Sequence, residues 1–400
     1  MRRIPTPLVI LASLALAGLL IEGGASAYFS AFSTRPQSPE ELLANPPPPY
    51  RLAPYLSAEF LEEQEAVQAG PSPSKQYAPL VDVRGHYFNI VNGLRVTTDQ
   101  PGHPARRLLM FGGSTVASQE VPDGYTIPSD LQRLINAKCT TQVAVVNYGM
   151  PAMSIRQQRA RLLDTATLPH DIVVFYDGVN EVYNSVYRGL PWLGSESGEV
   201  ASESGPVAGF WSLAHRAARR SAAMSLALTV RSRSVPATVA DAELIERGLR
   251  YAEDEYSREL VATQELLSAR QIDFLHFLQP HLFATPPSTA YRAQLVFNYS
   301  RPTWATYFPS DQRTFPGVPS LLVRAPGLAD AFEQTYPRLQ QAVGRAAQHG
   351  VHSVSLVDVL AADRVPGEVF LDFAHVNHVG NAIVAGAMFE QVSTLIGDCH

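Results

Sequence analysis

Charge is scarce in this 400-residue chain: Asp, Glu, Lys and Arg make up 17% of it, and the formal net charge at pH 7 is −6. That balance excludes a nucleic-acid binder, which presents a basic face. Apolar residues reach 46%, which excludes a disordered chain and allows a large core. Internal repeats and heptad runs are missing, and so is the Gly-Lys-Ser/Thr of a phosphate-binding loop. His375 and His378 lie three apart with Asp372 nearby, but no further His, Cys or Glu joins them in a ligand pattern, so neither a metal nor an organic cofactor is expected. Cysteine is almost absent, with only Cys139 and Cys399. In an exported protein such a pair either forms a disulfide or remains two unpaired small residues.

What is present begins at the N-terminus. Arg2 and Arg3 precede an apolar run from Leu8 to Ile21, and Ala25-Ser26-Ala27 offers small residues for cleavage. A basic start, an apolar middle and an A-x-A end predict export. The run is short for a membrane span of about 20 residues, although Gly23 to Phe32 extends it beyond Glu22. Residues 1–33 therefore read as a signal peptide or a membrane anchor, in the cell envelope or secreted. Residues 34–105 read as a Pro-rich linker and short extension, with Pro36, Pro39, Pro46 to Pro49 and Pro54 stiffening the spacer.

From Arg106 the pattern alternates. Strands are predicted at Leu108–Phe111, Val143–Val146, Ile172–Tyr176, Phe274–Leu278 and Ser353–Val357. Between and after them lie helical stretches at Ile127–Ala137, after Ser154, after Asp241, at Leu328–Gln348 and at Val379–Leu395, with Pro337 expected to bend or divide the fourth. Alternation of this kind predicts an α/β fold with a five-stranded parallel sheet in three α/β/α layers. Two stretches interrupt it, at about 185–239 and 282–327. Both follow strands, so both belong at the C-terminal edge of the sheet, where ligands bind in open α/β folds.

Phe111-Gly112-Gly113-Ser114-Thr115 follows the first strand, and its glycines would make the turn and leave Ser114 unobstructed. A serine nucleophile needs a base, an orienting carboxylate and donors for the oxyanion. Asp372 and His375, three apart before the last helix, supply the first two. Asn180, in Gly178-Val179-Asn180-Glu181 after the third strand, supplies a side-chain donor. Asn147-Tyr148-Gly149-Met150-Pro151-Ala152, after the second strand, supplies a backbone donor. Tyr176, Tyr183 and Tyr187 are candidates for the pocket wall. Val116 stands where Gly-x-Ser-x-Gly needs its second glycine, which argues against an α/β-hydrolase elbow.

With these four blocks the chain resembles the SGNH (GDSL-type) hydrolase family over about 106–400. The resemblance implies a flavodoxin-like strand order, Ser114 as nucleophile, His375 as base and Asp372 as its orienter. It implies an oxyanion hole from the Ser114 N–H, a second-block N–H that aligns with Ala152, and the Asn180 amide. Ala152 replaces a family glycine, which costs energy if φ there is positive. The flavodoxin-like order also sets the first and last helices side by side, so Cys139 and Cys399 are expected to pair. The implied activity is hydrolysis of a carboxylic ester, on a small molecule or an acylated glycan. The same residues would serve O-acyl transfer to a cell-envelope glycan, or persist in a degenerate glycan- or protein-binding scaffold.

Overall fold

A computed structural model of the chain describes residues 16–24, 26, 39–68, 80–183, 246, 249–300, 328–361 and 363–400. Its sheet contains β1 (Val83–Arg84), β2 (Asn89–Val91), β3 (Leu94–Arg95), β4 (Arg106–Gly112), β5 (Val143–Gly149), β6 (Ile172–Asp177), β7 (Asp273–Leu278) and β8 (Ser353–Ser355), in the order β1-β2-β3-β5-β4-β6-β7-β8. The last five are parallel and follow the flavodoxin-like order. The sheet exceeds the expected five strands because the segment before Arg106 adds an antiparallel meander to its edge, where Arg95 of β3 pairs with Asn147 of β5.

Central β4 explains why its sequence is a continuous apolar run. Leu108 to Phe111 are fully buried, because helices cover both faces of the sheet and leave no wet side for polar residues to alternate onto. The helices are α1 (Pro39–Ala44), α2 (Ala58–Gln68), α3 (Ser114–Ala117), α4 (Ile127–Lys138), α5 (Ile155–Leu163), α6 (Val179–Tyr183), α7 (Tyr256–Ser268), α8 (Ala290–Ser300), α9 (Leu328–Gln348) and α10 (His378–Ile396). Helices α4 and α10 pack together on one side, and α7 packs with α5 and α9 on the other, which makes the three layers. A disulfide joins Cys139, just after α4, to Cys399, just after α10, with a Cα–Cα separation of 3.9 Å. A turn of π-helix, Tyr251–Glu255, leads into α7.

One expectation is narrowed and another is corrected. Pro337 does not divide α9, which runs unbroken from Leu328 to Gln348. Pro337 and Glu333, the residue whose carbonyl loses its helical partner, both lie on the exposed side, where water replaces the missing N–H. The Pro-rich stretch is not a free spacer from residue 39 onward. A 3-10 turn at Pro48–Tyr50 buries Tyr50 in the main core. Leu42, Tyr55, Phe60 and Leu61 form a second core with Phe88 and Val121. Proline composition reports a stiff backbone, and here that stiffness serves a packed turn.

Of residues 1–33 the structure describes 16–24 and 26, which are helical, with Leu16, Leu19, Leu20 and Ile21 exposed. The insertion at 185–239 and Tyr187 lie outside the described residues. The insertion at 282–327 opens with a 3-10 turn, Leu282–Ala284, and α8, and its part from 301 onward lies outside them too.

Candidate active site

Four parallel strands deliver their following residues to one edge of the sheet, and there the separated blocks meet. Ser114 opens α3 directly after β4, half-buried. Its Oγ lies 2.7 Å from His375 Nε2. On the other side of the ring, His375 Nδ1 lies 2.7 Å from Asp372 Oδ2.

The His375 loop is held from within. Phe370 and Val376 form an antiparallel bridge, and the Leu371 N–H donates to the His375 carbonyl at 2.8 Å. Asp372 Oδ1 accepts from the backbone N–H groups of Ala374, at 2.7 Å, and His375, at 2.6 Å. The three-residue spacing thus folds the carboxylate back onto its own loop and leaves Oδ2 for the ring. The next residue but one, Asn377, caps α10 and also donates to the Pro49 carbonyl at 2.7 Å, so the N-terminal segment braces this loop.

Gly113 has φ −77°, which any residue adopts. Its glycine is needed for space, because a Cβ there would come within 2.2 Å of Asn180 Nδ2. The expectation that Gly113 serves the turn is therefore corrected: it lets the Asn180 amide sit against the residue before Ser114. Asn180 Nδ2 donates to the Met153 carbonyl at 3.0 Å, and an amide nitrogen has a second hydrogen to offer an oxyanion.

Ala152 has φ +62°, the left-handed region. A Cβ there costs roughly 1–2 kcal/mol, so an alanine at this position carries the energetic cost anticipated for a positive φ. Ala152 remains in the turn between Met150 and Met153, and the Met153 carbonyl is the acceptor for Asn180. The two expected contributors to the hole are therefore tied to one another through that turn.

Three further groups shape the site, and no sequence motif marked them. Glu120 is buried, with Oε1 3.7 Å from His375 Nε2. Burial raises its pKa; His375 lowers it and Asp372 raises it. Gln279, directly after β7, donates to Thr115 Oγ1 and accepts from the Val179 N–H at 3.2 Å, so it ties the helix that Ser114 opens to the Asn180 turn. The same rule that located the other blocks, a residue just past a parallel strand, points to Gln279. Arg95 on β3, buried at 2% exposure, pairs with Asp123 at 2.5 Å and donates to the carbonyls of Ser118, at 3.1 Å, and Val121, at 2.9 Å. It fixes the loop that carries Glu120. Removing one partner of such a buried pair costs about 3–5 kcal/mol.

Burial disfavours a charged His375 ring, but Asp372, Glu120 and the hydrogen bond to Asp372 outweigh it and push its pKa up to about 9. Tyr176 lines the small cavity beside His375 together with Glu120 and Thr115. Tyr183 stacks on Phe373 of the His375 loop, with ring centroids 5.7 Å apart. Among the described residues no group of three or more His, Cys, Asp or Glu is placed to hold a metal ion.

No protein-family model matches the chain, and no curated protein matches it. Solved structures similar to it include a member of the lipolytic G-D-S-L family from Veillonella parvula, at 15% identity and a TM-score of 0.36, covering 72% of this chain and 97% of that one. An acetylxylan esterase from Geobacillus stearothermophilus is similar at 13% identity and a TM-score of 0.34, covering 74% and 95%. A lipase/acylhydrolase from Enterococcus faecalis is similar at 11% identity and a TM-score of 0.35, covering 72% and 96%. Likenesses this distant assign no activity, and the chemistry is read from the residues of the site.

Proposed function

We propose that this chain is an exported, membrane-tethered serine hydrolase of carboxylic esters. The observation that carries this reading is the unbroken relay from Ser114 Oγ through His375 to Asp372, with 2.7 Å at each junction. His375 Nε2 takes the Ser114 proton as Oγ attacks the ester carbonyl carbon, and Asp372 holds the resulting imidazolium. The oxyanion is stabilised by the Ser114 N–H, the Ala152 segment and the Asn180 amide. The imidazolium then gives its proton to the departing alkoxide, leaving an acyl-Ser114 ester. Water attacks that ester with His375 again as base, releasing the carboxylic acid and restoring Ser114.

Export is supported by the exposed apolar residues Leu16, Leu19, Leu20 and Ile21 behind a basic start. The Cys139–Cys399 bond is also of the kind that persists in oxidising compartments.

The test is a screen of the purified full chain against p-nitrophenyl acyl esters and acetylated glycans, with and without an unacylated acceptor glycan. Acid release that needs no acceptor supports hydrolysis. Turnover only with acceptor makes the chain an acyltransferase. No turnover, together with no fluorophosphonate labelling of Ser114, overturns the enzymatic reading.

The raised His375 pKa sets a pH dependence. Only the neutral ring can take the Ser114 proton, so activity is lost as pH falls through the folded-state value. With that value about 9, kcat/KM is expected to rise about tenfold per pH unit through neutrality and to level off above 9. Glu120→Gln removes one of the charges that hold the ring protonated and is expected to move the limb to lower pH. A pH–rate profile of both forms checks this, and a wild-type limb near the ordinary histidine value would refute it.

A further inference from the structure

The two loops that supply the proposed oxyanion donors leave different strands, and one buried side chain spans them. Glu181 is 1% exposed. Its Oε1 accepts from the Ile155 N–H at 2.6 Å, and its Oε2 accepts from the Gly178 N–H at 2.8 Å. Ile155 opens α5, directly after the turn that holds Ala152 and Met153. Gly178 opens the turn that holds Asn180.

The local cap of α5 does not take the Ile155 N–H. Ser154 and Gln157 cap one another, with the Ser154 N–H donating to Gln157 Oε1 at 2.8 Å. The neighbouring carboxylate, Asp177, is engaged elsewhere: it accepts from Tyr256 Oη and, at 3.2 Å, from Gln158 Nε2. Each Glu181 oxygen therefore serves one loop. Asn180 in turn donates across the gap that Glu181 closes, to Met153.

We propose that Glu181 is a positioning residue for this reaction. Its carboxylate clamps the Ala152–Met153 turn to the Gly178–Asn180 turn, and so fixes where the Asn180 amide points. The proposal rests on the hydrolytic reading above, and Glu181 itself touches neither substrate nor reacting atoms. Burial and the Asp177 charge push the Glu181 pKa up to about 8 while the Ile155 and Gly178 N–H groups hold it down, so the group is the ionised double acceptor above that pH. A glutamine of the same shape accepts one of the two N–H bonds and turns an NH2 group toward the other donor. One loop is then released, and small displacements of a preorganised donor are costly: removing one outright lowers kcat about 10²–10³-fold, and a misplacement of about 1 Å can cost about 10²-fold.

The experiment is a double-mutant cycle in the full chain at pH 9, where Glu181 is ionised, read as kcat and KM on p-nitrophenyl acetate with thermal melting as the folding control. Glu181→Gln is expected to lower kcat about 10- to 100-fold with KM within about twofold, because the loss falls on the oxyanion rather than on ground-state binding. In an Asn180→Ala background the same substitution is expected to cost less than about twofold, since the donor it aims is gone. An unchanged kcat in folded Glu181→Gln, or an equal loss in both backgrounds, overturns the proposal. Should Glu181→Gln not fold, Glu181→Asp, which keeps the charge but is too short to reach both loops, is read in the same way. A wild-type chain inactive on every ester overturns the hydrolytic reading and this proposal together. An active wild type with an unchanged variant overturns this proposal alone.

Discussion

Ser114→Ala is expected to lower ester hydrolysis by about 10⁵–10⁶-fold while leaving the melting temperature within about a degree of wild type. The serine is half-buried at the first position of a short helix, where alanine is well accommodated. His375 keeps its hydrogen bond to Asp372, and the Asp372 carboxylate keeps its two backbone donors, so the loop needs no rearrangement. What disappears is the atom proposed to form the acyl bond. Because nucleophile and base act as a unit, Ser114→Ala combined with His375→Ala should be no worse than either alone. Initial rates, fluorophosphonate labelling and a melt on one preparation check this. Retained turnover within about tenfold of wild type would remove Ser114 from the mechanism.

Asp372→Asn is expected to cost about 10⁴-fold in kcat at neutral pH, with a folded chain. The geometry dictates why. Oδ1 is committed to the N–H groups of Ala374 and His375, so an asparagine keeps its carbonyl oxygen there and turns its NH2 toward His375 Nδ1. That nitrogen must then accept, which places the ring proton on Nε2, facing Ser114 Oγ. The ring can no longer take the serine proton. The same substitution removes a charge that raises the His375 pKa, so residual activity should show its acid limb at lower pH than wild type. A loss smaller than about tenfold would mean that Asp372 merely shapes its loop.

The parts of the site that could be read from the sequence are those governed by a topological rule. Ser114, Ala152, Asn180 and the Asp372–His375 loop lie far apart in the chain, yet a parallel sheet with intervening helices carries strand ends to one edge. Alternation of apolar runs and helical stretches was enough to bring them together. Gln279 obeys the same rule but belongs to no recognisable block. Glu120 obeys none: its place against His375 depends on Arg95, on a meander that joins the opposite edge of the sheet, and no local pattern encodes that pairing. Gly113 was legible as important but for the wrong reason, since the space taken by the Asn180 amide exists only once two strands have met. The proline-rich stretch misled because composition reports stiffness and is silent about what a stiff segment packs against.

That packing sets a tether length. Among the described residues the folded body reaches back to Pro39, with Tyr50 and the α1–α2 segment part of it. Between it and the apolar helix that reaches residue 24 lies a short stretch of chain, not the longer spacer that composition implied. Even fully extended, the path from residue 32 to residue 39 covers at most about 25 Å. If residues 8–32 lie in a bilayer, as the proposed anchoring has it, the body can sweep only a thin shell above the lipid, shallower than the hydrocarbon core of about 30 Å. Esters presented on that surface would be encountered at high effective concentration, and those farther out in the envelope would have to come to the enzyme.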